Sequence, residues 1–134
     1  MGESMKLLLV GDEKSCEFYS LYLNNKGAEV FSIVDINSVT GKPKFVPEIA
    51  LILSKASVYS VVDIIKSIKL QYPELFVIPV LQEKNELILD SMFQSGVEKI
   101  LFDFNPDIIY SELQEVYNKR DIFLDKKSNK KLYI

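Results

Sequence analysis

Short apolar runs alternate along the chain with longer segments in which apolar residues recur every three or four positions. Apolar runs without regular polar alternation are typical of strands that are covered on both faces of a parallel sheet. Five such runs predict strands, at residues 6–10, 30–34, 49–53, 75–81 and 99–102. Segments with helical spacing predict helices at residues 14–25, 58–70, 85–95 and 105–119.

Turn and capping residues place the ends of several elements. Gly27 suits the left-handed residue that follows the last turn of the first helix. Asn105 supplies a helix cap, and it is followed by a proline and an acid that favour a helix start. Pro79 conflicts with the pattern, because a proline lacks the amide donor that a central strand needs. Residues 35–46 predict a loop with at most a short, irregular second helix.

Strands that alternate with helices through short connections predict an α/β fold. We expect a doubly wound, five-stranded parallel sheet. The length of 134 residues fits one domain, placed at residues 1–120, with a C-terminal tail or linker at residues 121–134. This tail could be a helix extension, a small hairpin or a disordered basic end, and partial order is expected.

Composition and charge exclude several functions. A net charge of −3 disfavours direct nucleic-acid binding, which needs clustered basic residues. No apolar run is long enough to cross a membrane, and no signal peptide is visible. The single cysteine allows no intrachain disulfide, which fits a cytoplasmic location. The chain has no histidine, so the commonest general base and metal ligand is missing.

Few residues suggest chemistry of their own. Asp12 and Glu13 follow the first strand, where α/β folds place ligands, so they could hold a small cation. The favoured interpretation is that Asp12 caps the next helix and Glu13 stabilises its first turn. Ser54 could act as a nucleophile only with Lys55 as its base, and a solvated lysine is the better interpretation. The chain is therefore not expected to be an enzyme.

The first predicted helix carries a cysteine and several aromatic residues. Cys16 could sense redox state, but it falls near the inward side of the helix and is expected to be core packing. Phe18, Leu21 and Tyr22 follow helical spacing and are expected to form the apolar stripe, with Tyr19 beside it.

Three stretches of the chain carry a resemblance to a known family. Residues 7–13 are similar to a first strand that ends in metal-binding acids, and residues 53–69 to a third strand that runs into a third helix. Residues 95–101 are similar to the junction between a fourth helix and a fifth strand. Over residues 5–120 the layout resembles the receiver domain of two-component response regulators, the CheY-like family. This resemblance implies a flavodoxin-like receiver topology.

The resemblance also shows where the chain departs from the family. It places Leu53 at the phospho-acceptor aspartate, or Ser54 if the strand slips by one residue. The other departures are Gly11 at the first metal-binding acid, Gln82 at the hydroxyl residue after strand four, Ile100 at the aromatic switch, Asp103 at the lysine after strand five and Phe104 at the following proline. A vestigial pocket would consist of Asp12, Glu13, Ser54, Gln82 and Asp103.

These departures predict a degenerate receiver. The family's chemistry needs Mg²⁺ held by several carboxylates and a cation for the phosphoryl oxygens, whereas Asp103 adds like charge. We therefore expect no cofactor, with Mg²⁺ at Asp12 and Glu13 as the less favoured alternative. The expected function is that of a phosphorylation-independent signalling or adaptor domain of the two-component type, which acts through protein–protein contacts.

The partner surface and two alternatives also follow from the resemblance. It implies recognition of a protein by the fourth helix, fifth strand and fifth helix, at residues 86–94, 99–102 and 107–119, and leaves a homodimer open. One alternative is a regulatory domain excised from a larger sensor kinase or transcription regulator. The other is a small-ligand-binding flavodoxin-like domain that uses the strand ends near Asp12, Gln82 and Asp103.

Overall fold

The computed structural model describes residues 4–34, 45–53, 58–82, 84 and 86–132. The strands are β1 (Lys6–Gly11), β2 (Glu29–Ile33), β3 (Ile49–Leu53) and β4 (Phe76–Val80). The helices are α1 (Glu13–Asn25), α2 (Val58–Gln71), α3 (Glu86–Gln94) and α4 (Pro106–Leu132). Residues 35–44, with most of the predicted irregular helix, lie outside the described residues.

The four strands form one parallel sheet in the order β2-β1-β3-β4. Every residue of β3 and β4 is buried, which explains why both strands appear in the sequence as unbroken apolar runs. Gly11 pairs with Leu53, and Leu53 pairs with Val80, so the C-terminal ends of three strands lie side by side. The predicted parallel α/β architecture is confirmed.

Helices cover both faces of this sheet. Alternate residues of β1 point to opposite faces, with Leu7 and Leu9 in one buried cluster and Leu8 and Val10 in the other. The first cluster includes residues of α1 and α4, namely Cys16, Tyr19, Leu23, Ile109, Leu113 and Val116. The second includes residues of α2 and α3, namely Val61, Ile65, Ile68 and Met92. Burial of apolar surface on both faces stabilises the layers.

The prediction of a fifth strand is wrong for the described part of the chain. Among residues 99–102, only Leu101 pairs with the sheet, through an isolated parallel bridge to Val80. Its amide donates to the carbonyl of Pro79 at 2.9 Å, and its carbonyl accepts from the amide of Leu81 at 2.8 Å. The segment therefore contributes one residue to the sheet edge.

Pro79 explains why the pairing stops. Its carbonyl faces Leu101, so the amide that it lacks would have faced the same side. In a parallel ladder that amide would donate to the carbonyl of Lys99, one step before Leu101. Without this donor, strand pairing cannot extend backwards from the single bridge.

A carboxylate satisfies the next donor on this edge of β4. The amide of Val77, which is fully buried, donates to Glu98 at 2.8 Å. Lys69 of α2 donates to the same carboxylate at 3.1 Å and to the carbonyl of Leu75 at 2.6 Å. Glu98 thus replaces the backbone carbonyl that a longer fifth strand would supply.

The predicted apolar stripe of α1 is partly wrong. Phe18 and Leu21 are 55% and 66% exposed, whereas Cys16, Tyr19 and Leu23 are buried. Both sets have helical spacing, so periodicity alone did not distinguish them. Burial of Cys16 agrees with the core-packing interpretation.

The last helix is longer than predicted. α4 has 27 residues and continues to Leu132, so residues 121–132 of the predicted tail take the helix-extension form. Crossing a sheet of five- or six-residue strands takes only about 12 helical residues. The buried positions Ile109, Leu113 and Val116 lie in the part that crosses the sheet.

Candidate functional site

The candidate site lies at the C-terminal ends of strands β1, β3 and β4. The structure places four of the five predicted pocket residues on segments at this end of the sheet, and all four are exposed: Asp12, Glu13, Gln82 and Asp103. Ser54 lies outside the described residues.

Leu53 is the last residue of β3 and is only 3% exposed. Its side chain belongs to the buried apolar cluster that also contains Cys16, Tyr19 and Leu101. The end of this strand is therefore part of the hydrophobic core, and it offers no polar group on the Leu53 side chain.

Gly11 lies directly beside Leu53 in the sheet. A Cβ atom at this position would lie 2.9 Å from the carbonyl oxygen of Leu53 and 3.3 Å from its Cβ. Contacts that short to a neighbouring backbone require the strands to shift. The site therefore has no room for an acidic side chain at residue 11.

Asp12 caps α1. Its carboxylate accepts a hydrogen bond from the amide of Ser15 at 3.4 Å, and its carbonyl accepts from the amide of Cys16 at 2.9 Å. Glu13 follows in the first turn, where a negative charge interacts favourably with the helix dipole. Both residues thus occupy the positions that the capping interpretation predicts.

A magnesium site needs oxygen ligands grouped around one point. Mg²⁺ is usually bound through carboxylates in near-octahedral geometry. Within the described ranges, no three Cys, Asp or Glu residues are grouped so that they could hold a metal ion. The expectation that Asp12 and Glu13 hold no metal ion stays a prediction.

Asp103 belongs to a turn that leads into α4. Its carboxylate accepts from the amide of Asn105 at 2.8 Å, and the side chain of Asn105 accepts from the amide of Asp107 at 2.9 Å. Asn105 therefore caps α4, as its sequence position predicts. Burial raises the pKa of Tyr19, and the negative charge of Asp103 raises it further.

Sequence reasoning missed a set of contacts between α1 and the start of α4. The hydroxyl of Tyr19 donates to the carbonyl of Phe104, and the hydroxyl of Tyr22 donates to the carboxylate of Asp107. Lys26 lies over the rings of Tyr22 and Tyr110, at 5.5 and 5.6 Å from their centroids. The only sequence signal for this seam is the spacing of Tyr19, Tyr22 and Lys26, two residues of α1 and its C-terminal cap.

The Tyr22 phenol is expected to titrate later than an ordinary tyrosine. The hydrogen bond to Asp107 is the main cause that raises the pKa of Tyr22 from 10 to about 12. The folded pKa exceeds the unfolded one, so the contact's stabilising contribution is complete below about pH 10. It is lost as the pH rises towards 12. An ultraviolet titration of wild type against Tyr22→Phe checks this, and a Tyr22 midpoint near pH 10 contradicts it.

Cys16 is expected to resist thiol reagents in the folded protein. Burial raises the pKa of the Cys16 thiol, and the negative charge of Asp12 raises it further. Because the thiolate is the reactive form, both effects reduce modification. At pH 8 a colorimetric disulfide reagent should react slowly with the native protein and rapidly in denaturing urea. Equal rates in both states would contradict the assigned burial.

A concave region lies at the opposite end of the strands, where β3 and β4 begin. It is a groove of about 550 Å³ lined by residues that include Pro47, Glu48, Tyr72, Pro73 and Phe76. These residues lie at the N-terminal ends of β3 and β4, so this groove is separate from the C-terminal strand ends near Asp12 and Asp103.

Among the helices that the structure describes, none combines the length and apolar character needed to cross a membrane. The sequence matches no protein-family model and no curated protein.

Several solved structures are nevertheless similar in fold. A CheY-like response regulator receiver domain protein from Methanospirillum hungatei JF-1 has a TM-score of 0.72 at 16% identity, over 88% of this chain and 98% of that chain. The chemotaxis response regulator CheY4 of Vibrio cholerae has a TM-score of 0.66 at 19% identity, over 84% and 99%. NtrX from Brucella abortus has a TM-score of 0.68 at 15% identity, over 92% of this chain but 29% of its own. The chain therefore has the α/β, flavodoxin-like fold of CheY-like response regulator receiver domains.

Proposed function

We propose that this chain is a receiver-like signalling or adaptor domain of the two-component type that acts through protein–protein contacts without phosphorylation. The observation that carries the proposal is the burial of Leu53 at the end of β3. The resemblance assigns this position to the phospho-acceptor. A leucine has no nucleophilic oxygen, so no acyl phosphate can form on it.

The neighbours of Leu53 support the same proposal. Gly11 stands where the family has its first metal-binding acid, and a side chain there would meet the backbone of β3. Asp103 stands where the family has a lysine, and its negative charge would repel a phosphoryl group instead of holding it. Restoring a single carboxylate would therefore leave the other requirements unmet.

The proposed partner surface is the α3–α4 face, which we define as α3, residues 98–105 and residues 106–119 of α4. Four large apolar side chains on these segments are exposed: Leu87, Phe93, Phe102 and Ile108. Exposed apolar residues among charged ones are common in protein interfaces, where a few such side chains provide most of the binding energy.

Four charged residues on the α3–α4 face are paired with one another. Lys99 forms ion pairs with Glu112 and, at 3.8 Å, with Glu115. Lys119 donates a hydrogen bond to Glu115 at 2.9 Å. Such pairs contribute little to stability when exposed, but they give a surface a defined charge pattern that favours one partner over others.

A phosphorylation assay tests the lost chemistry. The intact mass should not change after incubation with acetyl phosphate and Mg²⁺, and the amide NMR spectrum should not change with beryllofluoride and Mg²⁺. A receiver domain that has the acceptor aspartate serves as the control for reagent activity. A phosphoryl adduct that disappears in Asp12→Asn or Ser54→Ala would overturn the proposal.

A pair of matched variants tests the partner surface. Leu87 on α3 and Leu70 on α2 are both highly exposed, at 82% and 84%. Leu87→Glu should abolish capture of a partner from native extract, whereas Leu70→Glu should capture the same partner as wild type. If both variants capture it equally, the α3–α4 face is not the recognition surface.

The length of α4 favours a second candidate function. Of its 27 residues, roughly half extend past the sheet that the first half covers. A helix that continues in this way suits a connection to another domain, as expected for a regulatory domain within a sensor kinase or transcription regulator. The length of the intact reading frame decides between this candidate and a free-standing adaptor.

A further inference from the structure

The segment that follows Leu101 has little support from the sheet. Its pairing with β4 ends at one bridge, because Pro79 removes a donor and Glu98 takes the place of a backbone acceptor. Residues 102–105 have no assigned helix or strand before α4 begins at Pro106. Other contacts must therefore hold this segment in place.

Three residues of α1 and its C-terminal cap contact this part of the chain in order. Tyr19 donates to the carbonyl of Phe104, Tyr22 donates to the carboxylate of Asp107, and Lys26 lies over Tyr110 at 5.6 Å. Residues at such spacings lie along one side of a helix. The seam therefore follows one side of α1 in register with the start of α4.

The two tyrosines differ in burial and in the kind of group that accepts their hydrogen bonds. Tyr19 is buried, and its ring belongs to the same core cluster as Leu53. Its hydrogen bond to the carbonyl of Phe104 is partly buried, so its loss costs more than the loss of a fully exposed one. Tyr22 is partly exposed, and its partner is charged, which strengthens the bond.

We infer that Tyr19 and Tyr22 form a latch that holds residues 102–107 in one arrangement without a phosphoryl group. In a sheet with a full fifth strand, backbone hydrogen bonds to β4 would hold this segment in place. Here the hydrogen bonds of the two tyrosines hold it. Two exposed apolar residues are thereby presented in a fixed position: Phe102, which begins the held segment, and Ile108, which directly follows it. This last step rests on the proposed function, because it takes these residues to be part of the α3–α4 face.

Amide hydrogen exchange on the full chain tests the latch. Tyr19→Phe and Tyr22→Phe keep the rings and remove only the hydroxyl groups. Exchange at the amides of Asn105, Asp107 and Ile109 should become about three- to tenfold faster in each variant. Amides in β1 and β3 should change less. Tyr72→Phe, at the opposite end of the strands, is the matched control and should leave all these rates unchanged.

The outcomes separate the latch from the proposed function. Unchanged exchange at residues 105–109, or an equal increase in β1 and β3, would overturn the latch. If exchange increases locally and partner capture falls, both the latch and its role at the α3–α4 face are supported. If exchange increases locally while Leu87-dependent capture is unaffected, the latch stands and its role in presenting Phe102 and Ile108 is wrong.

Discussion

Leu53→Asp is expected to lower the free energy of unfolding by about 3–5 kcal/mol and to leave the protein unable to accept phosphate. Leu53 is 3% exposed and surrounded by apolar side chains, so a carboxylate there would be buried without a partner. We expect the variant to be partly unfolded and not to gain phosphotransfer activity. Urea unfolding followed by circular dichroism measures the stability, and intact mass after acetyl phosphate measures the activity.

Two controls make this result specific. Leu53→Met keeps the volume and should cost less than about 1.5 kcal/mol. Leu70→Asp introduces the same carboxylate at an exposed leucine and should change stability by only about 0.5 kcal/mol. A Leu53→Asp variant that is as stable as wild type and takes up phosphate would overturn both the burial argument and the proposed loss of phosphotransfer.

Glu98→Ala is expected to lower the free energy of unfolding by about 2 kcal/mol. The carboxylate of Glu98 accepts from the buried amide of Val77 at 2.8 Å and from Lys69 at 3.1 Å. Alanine would leave the Val77 amide without its acceptor inside the protein, which is the costly part of the change. Denaturant unfolding at neutral pH gives the difference directly.

Glu98→Gln separates the hydrogen bond from the charge. Glutamine retains an oxygen that accepts from Val77, so this variant should lose only about 1 kcal/mol. Glu17→Ala removes an exposed glutamate of α1 and should change stability by less than about 0.5 kcal/mol. If alanine and glutamine at residue 98 lower the free energy of unfolding equally, the ion pair with Lys69 provides most of the stabilisation by Glu98, and the hydrogen bond to the Val77 amide provides little.

The sheet was predictable because its central strands are buried on both sides. β3 and β4 have no exposed residue, so their apolar runs stand out from the helical periodicity around them. The prediction of a fifth strand was wrong because the pairing of that segment depends on another part of the chain. Residues 99–102 have the composition of a strand, but the missing amide of Pro79 decides how many of them can pair.

The candidate site was predictable only in part. Asp12 and Asn105 could be identified as caps because capping is a local effect of a side chain on the next turn. The contacts of Tyr19 and Tyr22 were not predictable, because each joins residues that are 85 positions apart. The inward side of α1 was also ambiguous, since Phe18 has helical spacing yet lies outside the core.

The edge of β4 limits how copies of this domain can assemble. A free strand edge with regular donors and acceptors invites a strand from another molecule, which leads to swapped or fibrous assemblies. Here a proline, a glutamate and a single paired leucine occupy that edge, so an incoming strand would find neither the Pro79 donor nor an unoccupied Val77 amide. Addition of a strand from another copy is therefore disfavoured on this side of the sheet.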